Sequence, residues 1–165
     1  MSSQILDQKK ANQKIRRIAL EILERNQNEP VIIVAGIVQT GYELALQICE
    51  ELKHFSGKEY PCHAIQVFKP APLERPVSSN VDPSELKSAV LVLVDDVQNS
   101  GKTIAHALKY FLDFPVKAIQ TCVLIDRRHN AYPVRADYVG LSLSTTMHEH
   151  VSVEKGPEGF TVSLS

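Results

Sequence analysis

The sequence predicts an α/β fold in which a mostly parallel, twisted sheet is flanked by helices. Short apolar segments rich in β-branched residues alternate with segments whose apolar residues recur every three or four positions. Such alternation is typical of right-handed strand–helix–strand units, which build parallel sheets. The 165 residues fit a single domain over 1–165, and the hydrophobic content of 44% is enough for an ordinary core.

The N-terminal part of the chain carries two helix patterns and two strand patterns. Apolar residues within 12–26 fall on one helix face, and the opposite face is charged. The segment "VIIVA" (31–35) is wholly apolar and bounded by proline and glycine, which indicates a buried strand. Helical spacing returns over 44–52, and "AIQVF" (64–68) is predicted to be the next strand.

Residues 69–88 interrupt the pattern with four prolines and a polar Ser-Ser-Asn stretch. Loops of this length without secondary structure are uncommon inside compact domains. The segment is therefore either a disordered insertion or a functional lid. We favour a flexible loop that closes over a ligand.

The C-terminal part of the chain supplies the remaining elements. "AVLVLV" (89–94) is the most strand-like segment of the sequence, and helical spacing follows over 104–111. Two more strands are predicted at "AIQTCVLI" (118–125) and "DYVGLSL" (137–143). The tail 151–165 has the pattern of a β-hairpin around a Gly-Pro turn.

Charge and cysteine content restrict the class of protein. The net charge of −1 gives no general reason to expect nucleic acid or an anionic membrane as the partner. No apolar segment is long enough to span a bilayer. The three cysteines are odd in number and lack C-x-x-C spacing, which is typical of reduced thiols. We therefore expect a cytoplasmic protein without membrane contact.

Three polar segments follow three of the predicted strands. Residues 36–41 follow the first strand, Asp95 and Asp96 follow the strongest one, and residues 126–129 follow a third. Ligands bind beyond the carboxyl ends of strands in sheets of this kind. The three segments are therefore expected to converge on one edge of the sheet.

The segment "VLVLVDDVQNSGKT" (90–103) contains two halves of opposite chemistry. Its end, Ser100–Thr103, offers hydroxyls and the free N–H groups of a helix start, which together suit a phosphate. Asp95 and Asp96 would repel that phosphate, but carboxylates accept hydrogen bonds from sugar hydroxyls and bind Mg²⁺. A ribose 5-phosphate satisfies both halves.

This segment resembles the motif with which type I phosphoribosyltransferases bind 5-phosphoribosyl 1-diphosphate (PRPP). Residues 123–140, "VLIDRRHNAYPVRADYVG", and residues 5–26 are similar to the PyrR family, whose members are pyrimidine-operon attenuators and uracil phosphoribosyltransferases. The resemblance covers almost the whole chain. It implies a type I phosphoribosyltransferase fold with a small hood, and a homodimer or larger assembly.

The resemblance also implies an activity and the residues that carry it. The chain would transfer the phosphoribosyl group of PRPP to a nucleobase, uracil before others, with Mg²⁺ as cofactor. Asp95 and Asp96 would hold the ribose hydroxyls directly or through Mg²⁺, and Lys69 of the flexible loop would assist catalysis. The 5-phosphate would contact Val97, Asn99, Ser100, Gly101, Lys102 and Thr103. The pyrophosphate loop would comprise Gly36, Ile37, Val38, Gln39, Thr40 and Gly41. The base pocket would include Arg127, Tyr138 and Val139.

Some positions depart from the family pattern. Val38 and Thr40 stand where the pyrophosphate loop of the family has Lys and Arg, and Phe68-Lys69-Pro70-Ala71 replaces an aromatic-Arg-Asp-Asp segment. Fewer cations face the leaving group, so we expect slow transfer with nucleotide binding retained. Asn99 replaces the acid of purine enzymes, and an amide cannot take a proton from a base, which favours a pyrimidine.

The alternative is a nucleotide-sensing, RNA-binding regulator of pyrimidine genes with little or no catalysis. RNA phosphates require cations. The candidates are Lys14, Arg16, Arg17, Arg25, Arg127, Arg128, His129 and Arg135. A charged helix face is more often simply solvated, and we expect RNA binding to be weak. His148 and His150 lack further ligands nearby in sequence, so no metal site is predicted there.

Overall fold

The computed structural model describes all of residues 1–165 and contains three α-helices and nine strands. The helices are α1 (Gln8–Arg25), α2 (Thr40–Ser56) and α3 (Lys102–Phe111). The strands are β1 (Ser3–Leu6), β2 (Ile32–Ile37), β3 (Cys62–Gln66), β4 (Ser78–Ser79), β5 (Val90–Gln98), β6 (Ala118–Asp126), β7 (Tyr138–Ser142), β8 (Val151–Gly156) and β9 (Gly159–Leu164). A 3₁₀-helix covers Pro83–Leu86. No helix combines the length and the apolar character needed to cross a membrane.

Six strands form the main sheet in the order β4-β3-β2-β5-β6-β7. All neighbours are parallel except β4, which is antiparallel to β3. A second, antiparallel sheet has the order β1-β9-β8, and we call it the hood sheet. The predicted α/β class, the mostly parallel sheet and the C-terminal hairpin are confirmed.

The central strand β5 is buried on both faces, which explains its uninterrupted apolar sequence. Because side chains alternate along a strand, Val92 and Val94 join one hydrophobic cluster, while Leu91 and Leu93 join the other. The first cluster contains the apolar faces of α1 and α2 and residues of the hood sheet. The second contains the apolar face of α3. Each fully buried aliphatic side chain contributes about 1.5–3 kcal/mol, so the two clusters hold the layers together.

The helix predicted over 12–26 begins earlier, at Gln8. Asp7 caps it by accepting a 2.7 Å hydrogen bond from the Lys10 N–H. The first turns carry few apolar residues, so the hydrophobic pattern alone placed the start too late. The helix predicted around 44–52 likewise extends over Thr40–Ser56 and ends at Gly57, whose φ of 73° is left-handed.

The loop predicted over 69–88 is only partly irregular. Its second half contains β4, which pairs with β3, and a 3₁₀-helix whose Leu86 is 1% exposed. Asp82 caps this helix by accepting a hydrogen bond from the Ser84 N–H. The irregular part is therefore reduced to residues 69–77, which we call the lid loop. Its movement remains a prediction.

Gly36, near the carboxyl end of β2, has no room for a side chain. A Cβ atom there would lie 2.5 Å from Tyr42 Cα and 2.6 Å from the Gly41 carbonyl oxygen, so the backbone of α2 would have to move. We expect Gly36→Ala to lower the free energy of unfolding by about 1–3 kcal/mol, as overpacking does. Urea denaturation followed by circular dichroism measures this change.

Gly156→Ala is the matched control for this prediction. The nearest atom to a Cβ at Gly156 is the end of the flexible Gln8 side chain, which can rotate away. The control should change the stability by less than about 0.5 kcal/mol. Equal stability of the two variants would contradict the steric explanation.

Candidate active site

A cleft of about 440 Å³ lies at the carboxyl edge of the main sheet. One wall is the segment 95–104, which runs from the end of β5 into α3. The opposite wall is formed by residues 150–153, at the start of β8 in the hood sheet, and Lys69 of the lid loop borders the cleft. Its size and concave shape are those of a small-molecule site.

The two acids lie within β5 rather than after it, since the strand continues to Gln98 and pairs with β6 as far as Asp126. Asp95 has a buried side chain, and its Oδ1 accepts a 2.9 Å hydrogen bond from the Asp96 N–H. Asp96 Oδ1 accepts a 2.8 Å bond from the Val97 N–H. Backbone donors thus orient both carboxylates before any ligand binds.

Lys69 lies between the two carboxylates. Its Nζ is 2.9 Å from Asp95 Oδ1 and 3.6 Å from Asp96 Oδ1. Burial raises the pKa of Asp95 to about 7, against the opposing effect of the Lys69 charge. Burial acts to lower the pKa of Lys69, but the two carboxylates outweigh it and the pKa is raised. The acid pair is therefore a site that favours a cation.

The acid pair also fits Mg²⁺, because the ammonium group of Lys69 already stands between its oxygens as a cation. Carboxylate oxygens are the protein ligands that Mg²⁺ prefers. No group of three or more His, Cys, Asp or Glu side chains is assembled as a metal site. Asp95 and Asp96 would hold a Mg²⁺ whose other ligands come from water or substrate oxygens.

The phosphate loop, residues 99–103, leads directly into α3. Gly101 precedes the helix with a left-handed φ of 85°, a conformation that glycine adopts without cost. No side chain caps the helix at this position. The Ser100 hydroxyl accepts a bond from the Lys102 N–H, and the other N–H groups of the first turn have no partner within the helix. The geometry suits an anion.

The pyrophosphate loop, 36–41, is a tight connection between β2 and α2. Gly41 packs directly against the acid pair, since a Cβ there would lie 3.1 Å from Asp95 Oδ1. The peptide bond between Val38 and Gln39 is cis. The loop borders the acid pair but contributes no residue to the walls of the cleft, and its role in binding pyrophosphate remains a prediction.

The structure does not bring Tyr138 and Val139 to the cleft. Tyr138 is buried in the core, where its hydroxyl donates to Gln120 Oε1 at 2.7 Å and accepts from Asn26 Nδ2. The Val139 carbonyl accepts a bond from Arg17 on α1. Neither residue is among those that line the cleft, although Val139 lies level with Asp95 across the sheet, since both pair with Val123. Their place in a base pocket remains a prediction.

Arg127 is close to the cleft but lies behind its wall. The residue is 8% exposed, and its guanidinium donates to Asn99 Oδ1 at 2.9 Å. Arg127 is not among the residues that line the cleft, and its place in a base pocket remains a prediction.

Ile104, Gln98 and residues 150–153 line the cleft but were absent from the sequence prediction. Residues 150–153 of the hood sheet form a wall of the cleft. They reach this position because β8 packs against the main sheet. Gln98 lines the cleft with a side chain that is 2% exposed, and its Oε1 has no hydrogen-bond partner. A glutamine two residues after the acid pair is the only signal that the sequence offered.

Comparison with known proteins places this cleft in a family. Residues 1–156 match the phosphoribosyl transferase domain. The chain is 35% identical over 158 residues to the bifunctional protein PyrR of Pelotomaculum thermopropionicum, covering 92% of this chain and 87% of the relative. The PyrR protein of Geobacter sulfurreducens is 35% identical over 156 residues, with 90% and 88% covered.

Solved structures show the same fold. The hypoxanthine phosphoribosyltransferase of Trypanosoma cruzi superposes with a TM-score of 0.74 at 16% identity, covering 97% of this chain and 95% of that one. A hypoxanthine-guanine phosphoribosyltransferase of Bacillus anthracis gives 0.68 at 19% identity, with 85% and 81% covered. The predicted type I phosphoribosyltransferase fold is confirmed. The chain belongs to the phosphoribosyltransferase family, and PyrR proteins are its relatives.

Proposed function

We propose that this protein transfers the 5-phosphoribosyl group of PRPP to uracil and releases pyrophosphate. The observation that carries the proposal is the cleft itself, which places an oriented acid pair and a helix-start phosphate loop on one wall. A ligand with a phosphate at one end and a diol at the other matches both features. PRPP and nucleoside 5′-monophosphates are ligands of this kind.

Two observations support uracil as the base. The PyrR resemblance extends over more than 90% of the chain at 35% identity, and that family implies uracil. Asn99 offers an amide where a purine enzyme has an acid, and its Oδ1 is already engaged by Arg127. The hypoxanthine enzymes are under 20% identical to this chain, so their likeness concerns the fold alone.

The residues of the cleft divide the chemistry between them. N–H groups of the phosphate loop hold the 5-phosphate, while Asp95 and Asp96 accept hydrogen bonds from the ribose hydroxyls. As the bond from C1 to pyrophosphate breaks, positive charge develops on the ribose, and the oriented carboxylates stabilise it. Mg²⁺, when bound, neutralises charge on the departing pyrophosphate.

The lid loop supplies a cation and a cover. Arg75 stacks on Phe68 with 3.9 Å between its guanidinium carbon and the ring centroid, which fastens one end of the loop to the other. Lys69 follows Phe68 in the chain, and its ammonium group contacts the acid pair. A lid closed over the cleft would keep water from hydrolysing PRPP.

RNA binding is the second candidate function, and one observation favours it. A surface groove between α1 and the segment after β6 is lined by Arg17, Arg128 and Arg135. Acidic residues line it as well, and Arg17 bonds to Glu21 and to the backbone of β7. With these charges balanced we propose that RNA binding is weak and falls steeply with salt.

Other predicted cations are already engaged within the fold. Arg16 pairs with Glu51 at 3.5 Å, and Arg25 pairs with Asp137 at 2.9 Å. Arg127 is buried, and the His129 ring contacts the Thr145 carbonyl. Because these cations are engaged within the fold, they are less available to RNA phosphates. This favours the enzymatic function over RNA regulation.

Assembly and location are proposals of the same kind. A homodimer or larger oligomer follows from the family resemblance and from the frequency of symmetric assemblies. Sedimentation at micromolar concentration tests it, and a clean monomer would contradict it. A cytoplasmic location follows from the reduced cysteines expected from the sequence.

The base is tested by offering uracil, hypoxanthine, guanine, xanthine and orotate in turn, with PRPP and Mg²⁺. We expect slow but measurable formation of UMP. If a nucleotide formed from another base instead, the transferase activity would stand and the assignment of uracil as the substrate would be wrong. No nucleotide from any base, with gel-shift binding to a structured pyrimidine-leader RNA at physiological salt, would favour the regulator instead.

Replacing both acids tests the cation and ribose site. Asp95→Asn with Asp96→Asn should weaken PRPP binding in the presence of Mg²⁺ by at least about tenfold, because amides bind Mg²⁺ poorly. Ribose 5-phosphate without Mg²⁺ should bind within a few-fold of wild type, since an amide oxygen still accepts from hydroxyls. Calorimetry measures both, and Asp113→Asn, exposed at the end of α3, is the control.

Restoring cations to the pyrophosphate loop should raise the rate. Val38→Lys with Thr40→Arg adds positive charge beside the acid pair, where the leaving group develops its charge. One transition-state donor is worth about 10²–10³ in rate, so we expect at least a tenfold rise in kcat. Val31→Lys adds one positive charge by the same Val-to-Lys change before the opposite end of β2 and should have no effect. An unchanged kcat in the double variant would indicate that pyrophosphate does not bind at this loop.

A further inference from the structure

Arg127 makes an unusual set of contacts for a buried cation. Its Nη1 donates to Asn99 Oδ1 at 2.9 Å, and its Nε donates to Thr145 Oγ1 at 3.0 Å. Nη2 donates to the carbonyl oxygens of Thr146 at 3.1 Å and Glu149 at 2.6 Å. One planar group therefore bonds to the phosphate loop on one side and to the segment 143–150 on the other.

All four acceptors of the guanidinium are neutral. Glu149 offers its backbone carbonyl to Arg127, while its carboxylate accepts from the Thr146 N–H. A buried charge costs several kcal/mol unless hydrogen bonds satisfy it, and here neutral acceptors do so. A phosphate bound at the adjacent loop would add a negative charge nearby.

Arg127 joins one wall of the cleft to the segment that leads into the opposite wall. Asn99 begins the phosphate loop, and the segment 143–150 leads into β8, which forms the opposite wall. The Arg127 N–H also donates to the Gln98 carbonyl at 3.0 Å, so backbone and side chain hold the same loop. His129 adds a second tie, with its Nε2 2.7 Å from the Thr145 carbonyl.

We infer that Arg127 is a positioning residue that sets the spacing of the two walls and so couples phosphate binding to binding of the base. This inference rests on the proposed function only in taking a phosphorylated ribose as the ligand. The guanidinium lies behind the wall and acts through Asn99 and the segment 143–150. With the guanidinium in place, a ligand whose phosphate is held by the phosphate loop can contact the opposite wall with its base.

Lysine cannot replace this arrangement, because an ammonium group is a single point and a guanidinium is a planar fork. Arg127→Lys keeps the buried charge but cannot reach Asn99 and Glu149 together. Arg128→Lys is the matched control, since Arg128 is the next residue, is exposed and makes no side-chain hydrogen bond. Both variants carry the same chemical change.

The measured quantity is the ratio of two dissociation constants. Ribose 5-phosphate contacts the phosphate loop and the acid pair, while a nucleoside 5′-monophosphate also reaches the opposite wall. The nucleotide is whichever of UMP, IMP, GMP, XMP and OMP wild type binds most tightly. The ratio of the ribose 5-phosphate constant to the nucleotide constant reports what that wall contributes.

We expect Arg127→Lys to lower this ratio about tenfold, because hydrogen bonds to a charged group hold the wall in place. Arg128→Lys should leave it at the wild-type value. A role in stability alone would lower the melting temperature of the Arg127 variant and leave the ratio unchanged. An unchanged ratio in Arg127→Lys would overturn the inference. A ratio of one in the wild-type protein would also overturn it, because the opposite wall would then contribute nothing to binding.

A second variant keeps the test decisive if Arg127→Lys does not fold. Thr145→Val removes one acceptor on the far side with little change of shape and should lower the ratio two- to threefold, about the effect of one hydrogen bond. A folded Thr145→Val protein with the wild-type ratio would also overturn the inference. Wild type that binds neither ligand would instead contradict the proposed function.

Discussion

The parallel pairing of β5 with its two neighbours is the constraint on which the rest of the structure depends. Register with β2 sets Gly36 beside Val94, and register with β6 sets Asp95 beside Val123. The connections that follow the three strands therefore meet at one edge. The acid pair, the phosphate loop and the pyrophosphate loop come from segments up to about 65 residues apart, yet backbone hydrogen bonds of the sheet hold them together.

Burial of this strand also creates the electrostatic problem that the cleft resolves. Asp95 lies at the edge of a core and its pKa is raised by burial, so its ionised form requires a cation. The Lys69 ammonium group supplies this cation. Arg127, on the other side of the phosphate loop, is a buried cation with neutral partners only. The cleft thus separates a region that favours cations from a region that favours anions, as a ligand with a diol and a phosphate requires.

The same fold carries different substrates in its relatives, so the walls of the cleft rather than the sheet must decide the base. Chains under 20% identical superpose on this one over most of their length. The sheet tolerates such divergence because its core needs only apolar residues of suitable volume. The hood sheet makes one wall, and Arg127 connects the segment that leads into it to Asn99 of the phosphate loop.

Local sequence was sufficient for the features that depend on short-range chemistry. Apolar β-branched segments predicted the central strands, and the order of acid pair, glycine and helix start predicted the family. The residues of that segment line the cleft. Features with distant partners were out of reach. Ser3–Leu6 has no strand pattern and becomes β1 only by pairing with β9, more than 150 residues away in the chain. Ser78–Ser79 becomes β4 by pairing with β3. Tyr138 was assigned to a base pocket by resemblance, and only the fold shows that its hydroxyl bonds to Gln120 and Asn26 in the core. Tertiary structure decided these positions, because strand pairing and the partners of a buried polar side chain are set by residues that the local pattern does not contain.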